Sequence, residues 1–164
     1  MKKRTLWSES ALHTKHIGEM IGQAAEPGDV VLFTGDLGAG KTTMSQGIAS
    51  GLGIDTDVTS PTFTLMQIYQ GDLTLYHLDV YRLNSEAEAT DIGLEEVLYG
   101  DGLCLIEWAD QFPELWPDDY LLVRIERQGD MKRRIELTGA GMGEEYLGRV
   151  AKLLESAGIQ YESA

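Results

Sequence analysis

The residues with the clearest chemical content are Gly35-Asp36-Leu37-Gly38-Ala39-Gly40-Lys41-Thr42, which fit the pattern G-x-x-x-x-G-K-[ST]. A backbone that brings several N–H groups onto one phosphate cannot carry bulky Cβ substituents, so Gly38, Ala39 and Gly40 answer a steric requirement. A helix must then begin at Lys41 or Thr42, so that its unpaired N–H groups and the positive end of its dipole face the anion. In that geometry Lys41 reaches the β- and γ-phosphates and the hydroxyl of Thr42 ligates Mg²⁺. The bland alternative is a glycine-rich turn followed by Lys-Thr by chance. Context argues against it. The apolar, β-branched run Asp29-Val30-Val31-Leu32-Phe33-Thr34 reads as a buried strand before the loop, and a helix follows until Gly51 and Gly53 stop it.

Two carboxylates stand where such a site needs them. Asp79 closes the apolar run Leu75-Tyr76-His77-Leu78, and Glu107 closes Leu103-Cys104-Leu105-Ile106. Ligands of open α/β sheets gather beyond the carboxyl ends of the strands, so both acids can approach the phosphates. A hard cation with octahedral demands takes oxygen ligands: Thr42, one or both carboxylates directly or through water, phosphate oxygens and waters. Spacing alone leaves open which acid touches the metal, and either acid alone is also compatible with a solvated strand end. His77 lies two residues from Asp79 and shares its strand face. A packed or hydrogen-bonded imidazole is the simpler reading than a catalytic base.

The elements that position these residues follow from periodicity and turn chemistry. Residues 8–25 suit a first helix capped by Ser8 or Ser10, with Leu12, Ile17, Met20 and Ile21 on one face. Residues 64–69 and 73–78 suit an antiparallel hairpin through Gln70-Gly71-Asp72. Residues 84–98 suit one or two short exposed helices broken at Gly93, residues 102–108 a buried strand, and residues 120–126 with 132–137 a second hairpin. An amphipathic helix over residues 143–156 closes the chain. The expectation is an α/β fold of the P-loop nucleotide triphosphate hydrolase type. It is compact and single-domain, a mixed sheet with flanking helices spanning residues 1–164, with a core at about 10–138 and a helical tail at 139–164.

Composition narrows the partners. Of 164 residues, 27 are acidic and 13 basic, a formal net charge of −14. A surface that grips nucleic acid is normally basic, and Lys132-Arg133-Arg134 is too small for a duplex footprint, so stable direct nucleic-acid binding is not expected. ATP is still compatible, because the charge that counts is local. The single cysteine, Cys104, excludes an intrachain disulfide, fits a reducing compartment and sits in an apolar run as a core residue. The basic N-terminus lacks the apolar stretch of a signal peptide and no membrane span is apparent, so a cytoplasmic protein is expected. His13, His16 and His77 lack zinc-ligand spacing.

Four blocks occur in order: Gly35 to Thr43, Ser60-Pro61-Thr62-Phe63-Thr64, His77-Leu78-Asp79-Val80-Tyr81-Arg82-Leu83 and Ile106-Glu107-Trp108-Ala109. Together they resemble the bacterial TsaE family, the ATPase component of tRNA threonylcarbamoyladenosine biosynthesis, over roughly residues 10–138. The resemblance implies weak intrinsic ATP hydrolysis and association with TsaD and TsaB proteins in modifying adenosine 37 of tRNAs that read codons beginning with A. It implies that Gly38, Ala39, Gly40, Lys41, Thr42 and Thr43 bind ATP or ADP, that Thr42 and Glu107 hold Mg²⁺, and that Asp79 is the acid of an Asp-x-Tyr-Arg block. Trp108 corresponds to an aromatic residue near the base, where its face can stack on a purine, and Thr14 to a threonine before the loop strand that contacts the base. Ser60 and Thr62 fall in a segment like a nucleotide-sensing switch, although its proline also suits a plain strand entry. Arg133 and Arg134 both remain open as a basic residue on the nucleotide side, and residues beyond 139 carry no family motif.

The mechanism expected is attack of water on the γ-phosphate, with Lys41 and the metal stabilising developing charge and Asp79 or Glu107 holding the metal or its water. A nucleotide-gated binding module with negligible turnover and a small-molecule kinase are the rival readings. The arginines after Thr43 form no obvious lid motif for a kinase, and no Asn-Lys-x-Asp guanine reader is present.

Overall fold

The computed structural model describes residues 1–35, 40–55, 58, 66–79, 93–98, 100–107, 109 and 113–163. Among them are eight strands and four α-helices. The strands are β1 (Lys2–Ser8), β2 (Val30–Gly35), β3 (Met66–Tyr69), β4 (Leu75–Asp79), β5 (Leu103–Glu107), β6 (Tyr120–Arg127), β7 (Arg133–Ala140) and β8 (Glu162–Ser163). The helices are α1 (Ala11–Gln23), α2 (Lys41–Gly51), α3 (Leu94–Leu98) and α4 (Gly143–Ser156). All strands join one sheet in the order β3-β4-β5-β2-β6-β7-β1-β8. The four middle strands β4, β5, β2 and β6 run parallel, and antiparallel strands flank them on both sides. This is the mixed α/β sheet of a P-loop nucleotide triphosphate hydrolase fold, as the sequence leads one to expect.

Side-chain alternation along the strands divides the core into two layers. Val31 and Phe33 of β2, Leu105 of β5, Val123 of β6 and Ile135 of β7 pack under α1, α2 and α4. Val30, Leu32, Cys104 and Ile106 face the opposite side, where Leu94 and Leu98 of α3 cover them. The helix expected to be exposed before Gly100 thus buries both leucines; residues 84–92 of that stretch, and 64–65 of the first hairpin, lie outside the described residues.

Several boundaries differ from expectation for identifiable reasons. The first helix starts at Ala11 because Ser10 is its cap, its side chain accepting a hydrogen bond from the His13 N–H at 3.1 Å. The preceding residues instead extend into β1, paired antiparallel with β7. Leu12 does not join the inward face and remains 65% exposed, whereas Ile17 and Ile21 are fully buried. The face of α1 is set by glycines. A Cβ on Gly18 would lie 2.5 Å from the Met44 carbonyl oxygen, and one on Gly22 would lie 2.2 Å from that of Ile48. From the other side, a Cβ on Gly47 or Gly51 would lie 2.2 Å from the carbonyl oxygen of Lys15 or Glu19. Two glycine pairs spaced by four residues therefore let the α1 and α2 backbones touch, which fixes where the N-terminus of α2 points.

The tail helix has the bounds read from its periodicity, Gly143–Ser156. Tyr146, Leu147, Val150 and Leu154 bury its inner face, and the Tyr146 hydroxyl donates to the Ile21 carbonyl at 2.6 Å. Arg149 donates to the Ala24 carbonyl at 2.8 Å and to Asp29 Oδ2 at 2.6 Å, tying α4 to the end of α1 and the entry to β2. No helix among the described residues is long and apolar enough to cross a membrane.

Candidate functional site

The loop strand β2 ends at Gly35, where φ is +141° and a Cβ would stand 2.2 Å from the Ile125 carbonyl oxygen of β6. Any larger residue would push β2 from β6 just where the phosphate loop leaves the sheet. The chain returns at Gly40, the N-cap of α2, with φ of 109°. A Cβ there would meet Thr14 Cγ2 at 3.8 Å and Arg133 Nε at 3.9 Å, ordinary contact distances. Glycine is thus demanded at 40 by its left-handed backbone rather than by space. From Gly40 the helix is regular: the Met44 N–H donates to the Gly40 carbonyl at 2.9 Å, and Ser45 Oγ donates to the Lys41 carbonyl at 2.8 Å. Lys41 and Thr42 are the first two residues of α2, and Lys41 is only 8% exposed.

The two acids meet by register. Asp79 on β4 is paired directly with Glu107 on β5, and Glu107 is in turn paired with Phe33 on β2. Parallel strands that end together place both carboxylates on the edge from which the loop and α2 emerge. Glu107 is 4% exposed, and its Oε2 lies 2.8 Å from Nε2 of His77, which is 1% exposed. The packed, hydrogen-bonded histidine expected from the sequence is what the fold contains, and its partner is Glu107.

Two carboxylates fall short of an octahedral set, so a Mg²⁺ ion here would complete its shell with a hydroxyl, water and phosphate oxygens. A nearly buried glutamate with one oxygen already held, a second acid in register and a threonine at the start of α2 fit such an ion.

On the other flank of Gly40, a small cavity is lined by Ala11, Thr14, Gly40, Thr43, Asp130, Met131 and Arg133. Thr14 is buried and its hydroxyl is hydrogen-bonded to Ser8 Oγ at 2.6 Å, so its methyl group faces Gly40. The β6–β7 hairpin sends the two neighbouring arginines to different surroundings. Arg133 lines this cavity, while Arg134 reaches Glu136 at 3.1 Å with its guanidinium. The signal that separates them is strand parity: Arg133 shares its face with the core residues Ile135 and Leu137. Gly38, Ala39, Ser60, Thr62 and Trp108 lie outside the described residues.

A family model described as "Threonylcarbamoyl adenosine biosynthesis protein TsaE" matches residues 8–135. The chain belongs to the TsaE family. Its relatives include the tRNA threonylcarbamoyladenosine biosynthesis protein TsaE of Bacillus subtilis (strain 168), 47% identical over 148 residues and 90% of each chain. The TsaE protein of Treponema pallidum (strain Nichols) is 44% identical over 128 residues, 78% of this chain and 95% of its own. Among solved structures, the crystal structure of Bacillus subtilis YdiB superposes with a TM-score of 0.77 at 37% identity, covering 93% of this chain and 97% of that one. The TsaE match thus takes in β1's last residue, the phosphate-loop helix, both acids and most of the β6–β7 hairpin; α4 and β8 lie beyond it. The TsaE family is one of tRNA threonylcarbamoyladenosine biosynthesis.

Proposed function

We propose that this TsaE-family chain is a Mg²⁺-dependent ATPase that acts with TsaD and TsaB proteins in threonylcarbamoyl modification of adenosine 37 of tRNA. The observation that carries the ATPase reading is the convergence, at one sheet edge, of a nearly buried Lys41 opening α2 and the in-register pair Asp79 and Glu107. The first-turn N–H groups of α2 and the Lys41 ammonium hold the β- and γ-phosphates. Thr43 and the cavity that contains Arg133 flank the sugar and base side, with the Thr14 methyl packed towards Gly40; Trp108, by its match to the family's aromatic residue, is assigned to stacking on the purine. Thr42 and Glu107 would hold Mg²⁺, which would supply positive charge against the phosphates, and Asp79, in register beside Glu107, would orient water there. Water attacks the γ-phosphate in line, the bond to the β-phosphate oxygen breaks, and Lys41 stabilises the charge that develops on the leaving ADP. The Ser60 and Thr62 segment responds to the γ-phosphate and changes its contacts with a partner, so hydrolysis resets the assembly.

Calorimetric titration with ATP and ADP, each with and without Mg²⁺, tests the site. Magnesium-enhanced binding and slow phosphate release are expected. Absence of heat from either nucleotide in well-folded protein overturns the reading. Phosphate transfer to added nucleosides or sugars, instead of release, identifies a kinase. Capture of TsaD and TsaB in a manner that depends on ATP versus ADP tests the partner role, and equal capture in both states refutes a nucleotide-driven reset.

A further inference from the structure

We infer that His77 is the positioning residue for the Glu107 carboxylate, holding one oxygen so that the other is aimed at the metal or its water. The inference rests on the magnesium–nucleotide site proposed above. Glu107 Oε2 lies 2.8 Å from His77 Nε2, with the two residues only 4% and 1% exposed. An ionised carboxylate accepts but does not donate, so Nε2 carries the hydrogen. His77 Nδ1 is buried and has no hydrogen-bond partner among the described residues. The contact to Glu107 is therefore the hydrogen bond that fixes the ring in this pocket. The Nε2 donor holds one carboxylate oxygen in place and leaves the other uncommitted, whereas the fork of an arginine could take both.

The strand register makes this an orienting contact. His77 is opposite Leu105, and Asp79 is opposite Glu107, so the imidazole reaches diagonally along β4 and β5 to the inner side of the glutamate. Oε2 is occupied from within the sheet. Oε1 is the oxygen left to act with Asp79 at the strand ends. Because χ rotation of a carboxylate on a strand end would otherwise be unopposed, one fixed oxygen makes the second one directional. A purely structural pair, by contrast, would support folding and leave metal response untouched.

The test compares nucleotide affinity in excess EDTA with that in saturating Mg²⁺, for wild type, His77→Leu, His77→Gln and His77→Asn. Removing partners of this kind typically lowers metal affinity about 10–100-fold. His77→Leu is therefore expected to bind ADP normally in EDTA and to lose about tenfold of the Mg²⁺ enhancement. His77→Gln, whose amide nitrogen reaches the Nε2 position, should recover most of it, and the shorter His77→Asn should not. An unchanged Mg²⁺ enhancement in His77→Leu overturns the inference. If His77→Leu does not fold, equal enhancement in the Gln and Asn variants overturns it instead. A wild-type protein without any Mg²⁺ enhancement refutes the proposed site itself, a result distinguishable from failure of the His77 role alone.

Discussion

The two halves of the sheet, joined at β6, handle carboxylates in opposite ways. In the antiparallel half, acids meet cations from the same strand or the next. Glu136 receives Lys3 at 3.2 Å and Arg134 at 3.1 Å, and Glu126 receives Arg124 at 3.0 Å. In the parallel half, the most buried acid, Glu107, is bonded to an imidazole. Topology explains the contrast. Antiparallel neighbours interleave along their whole length, so opposite charges can be placed side by side on one face. Parallel strands all end at one edge, so acids at those ends collect together and face whatever lies beyond them. One half pairs its acids with cations; the other gathers Asp79 and Glu107 at a single edge.

The largest expected effect tests whether chemistry is confined to the parallel half. Lys41→Ala removes the ammonium group at the start of α2, and loss of a comparable charge-stabilising donor typically lowers turnover about 10²–10³-fold. Phosphate release should fall by that order, and a thermal melt of the variant checks that the loss is not one of folding, since Lys41 is only 8% exposed. Hydrolysis that survives Lys41→Ala would break the comparison outright. The matching change in the other half, Arg134→Ala, should leave hydrolysis unaltered and cost less than about 1 kcal/mol, the ordinary worth of a partly exposed ion pair.

Next in size is a change that strains the interface supporting α2. A Cβ on Gly47 would stand 2.2 Å from the Lys15 carbonyl oxygen. Forcing atoms into a packed contact typically costs about 1–3 kcal/mol. For a chain of this size that corresponds to a thermal midpoint lower by roughly 2–12 °C. Gly47→Ala should therefore lower both the midpoint and ADP affinity, since α1 must move away from α2. Gly148→Ala, inside α4 where a Cβ meets nothing within 4 Å, is the control: it should leave ADP affinity unchanged and raise the midpoint slightly, since alanine is favoured over glycine in a helix interior by about 0.5–1 kcal/mol. A wild-type melting curve for Gly47→Ala would mean that the glycine contact is not what seats α2.

How much of this was readable in the chain depended on whether the signal was local. The strand before the loop, the span of α2 to Gly51 and the tail helix Gly143–Ser156 carry their own periodicity and caps, and all appear where expected. Strand β1 does not: Lys2–Ser8 has little apolar alternation, and it becomes a strand by pairing with residues 133–139. Leu12 faces outward against its hydropathy because the α1 face is chosen by Gly18 and Gly22, which carry no hydropathy signal. At the site, Lys41, Thr42 and the two acids were legible as types at strand and helix ends. The His77–Glu107 bond, 30 residues apart in sequence, was not, because it exists only once β4 and β5 lie side by side. Arg133 likewise separates from Arg134 only when β7 acquires its register.

A third change sharpens the comparison from the supporting side. Arg149 binds Asp29 and the Ala24 carbonyl far from the phosphate loop in sequence, so Arg149→Met should reduce stability and spare Mg²⁺–ADP affinity. Loss of charge-assisted hydrogen bonds predicts about 1.5–3 kcal/mol at pH 7. Burial holds the Asp29 carboxyl above its ordinary value, opposed by the Glu26 backbone bond and by Arg149. An acid with a raised folded pKa binds more protons when folded, so its contribution to stability is greatest at low pH and falls as pH rises through that folded value. Without Arg149 the carboxyl rises further. The penalty of Arg149→Met should therefore shrink as pH falls from 7 towards 4, as urea melts at the two pH values would register. An equal penalty at both would remove Asp29 from the account.

The smallest effect concerns Cys104, a buried residue of the parallel half. Cys104 lies on β5, three residues before Glu107, yet its side chain faces α3 and it is 1% exposed. Its thiol donates to the Val97 carbonyl at 3.1 Å, and burial pushes its pKa up to about 12. At neutral pH the nucleophilic thiolate is almost absent. Iodoacetamide should label Cys104 only as fast as the native state opens, and bound Mg²⁺–ADP should slow labelling by stabilising the closed form. Cys104→Ser should leave hydrolysis within about twofold, because alternate residues of a strand face opposite layers and the change lies on the side away from Glu107. Rapid labelling of folded protein, or a sharp loss of turnover in Cys104→Ser, would show that the division within this strand is not the one its parity dictates.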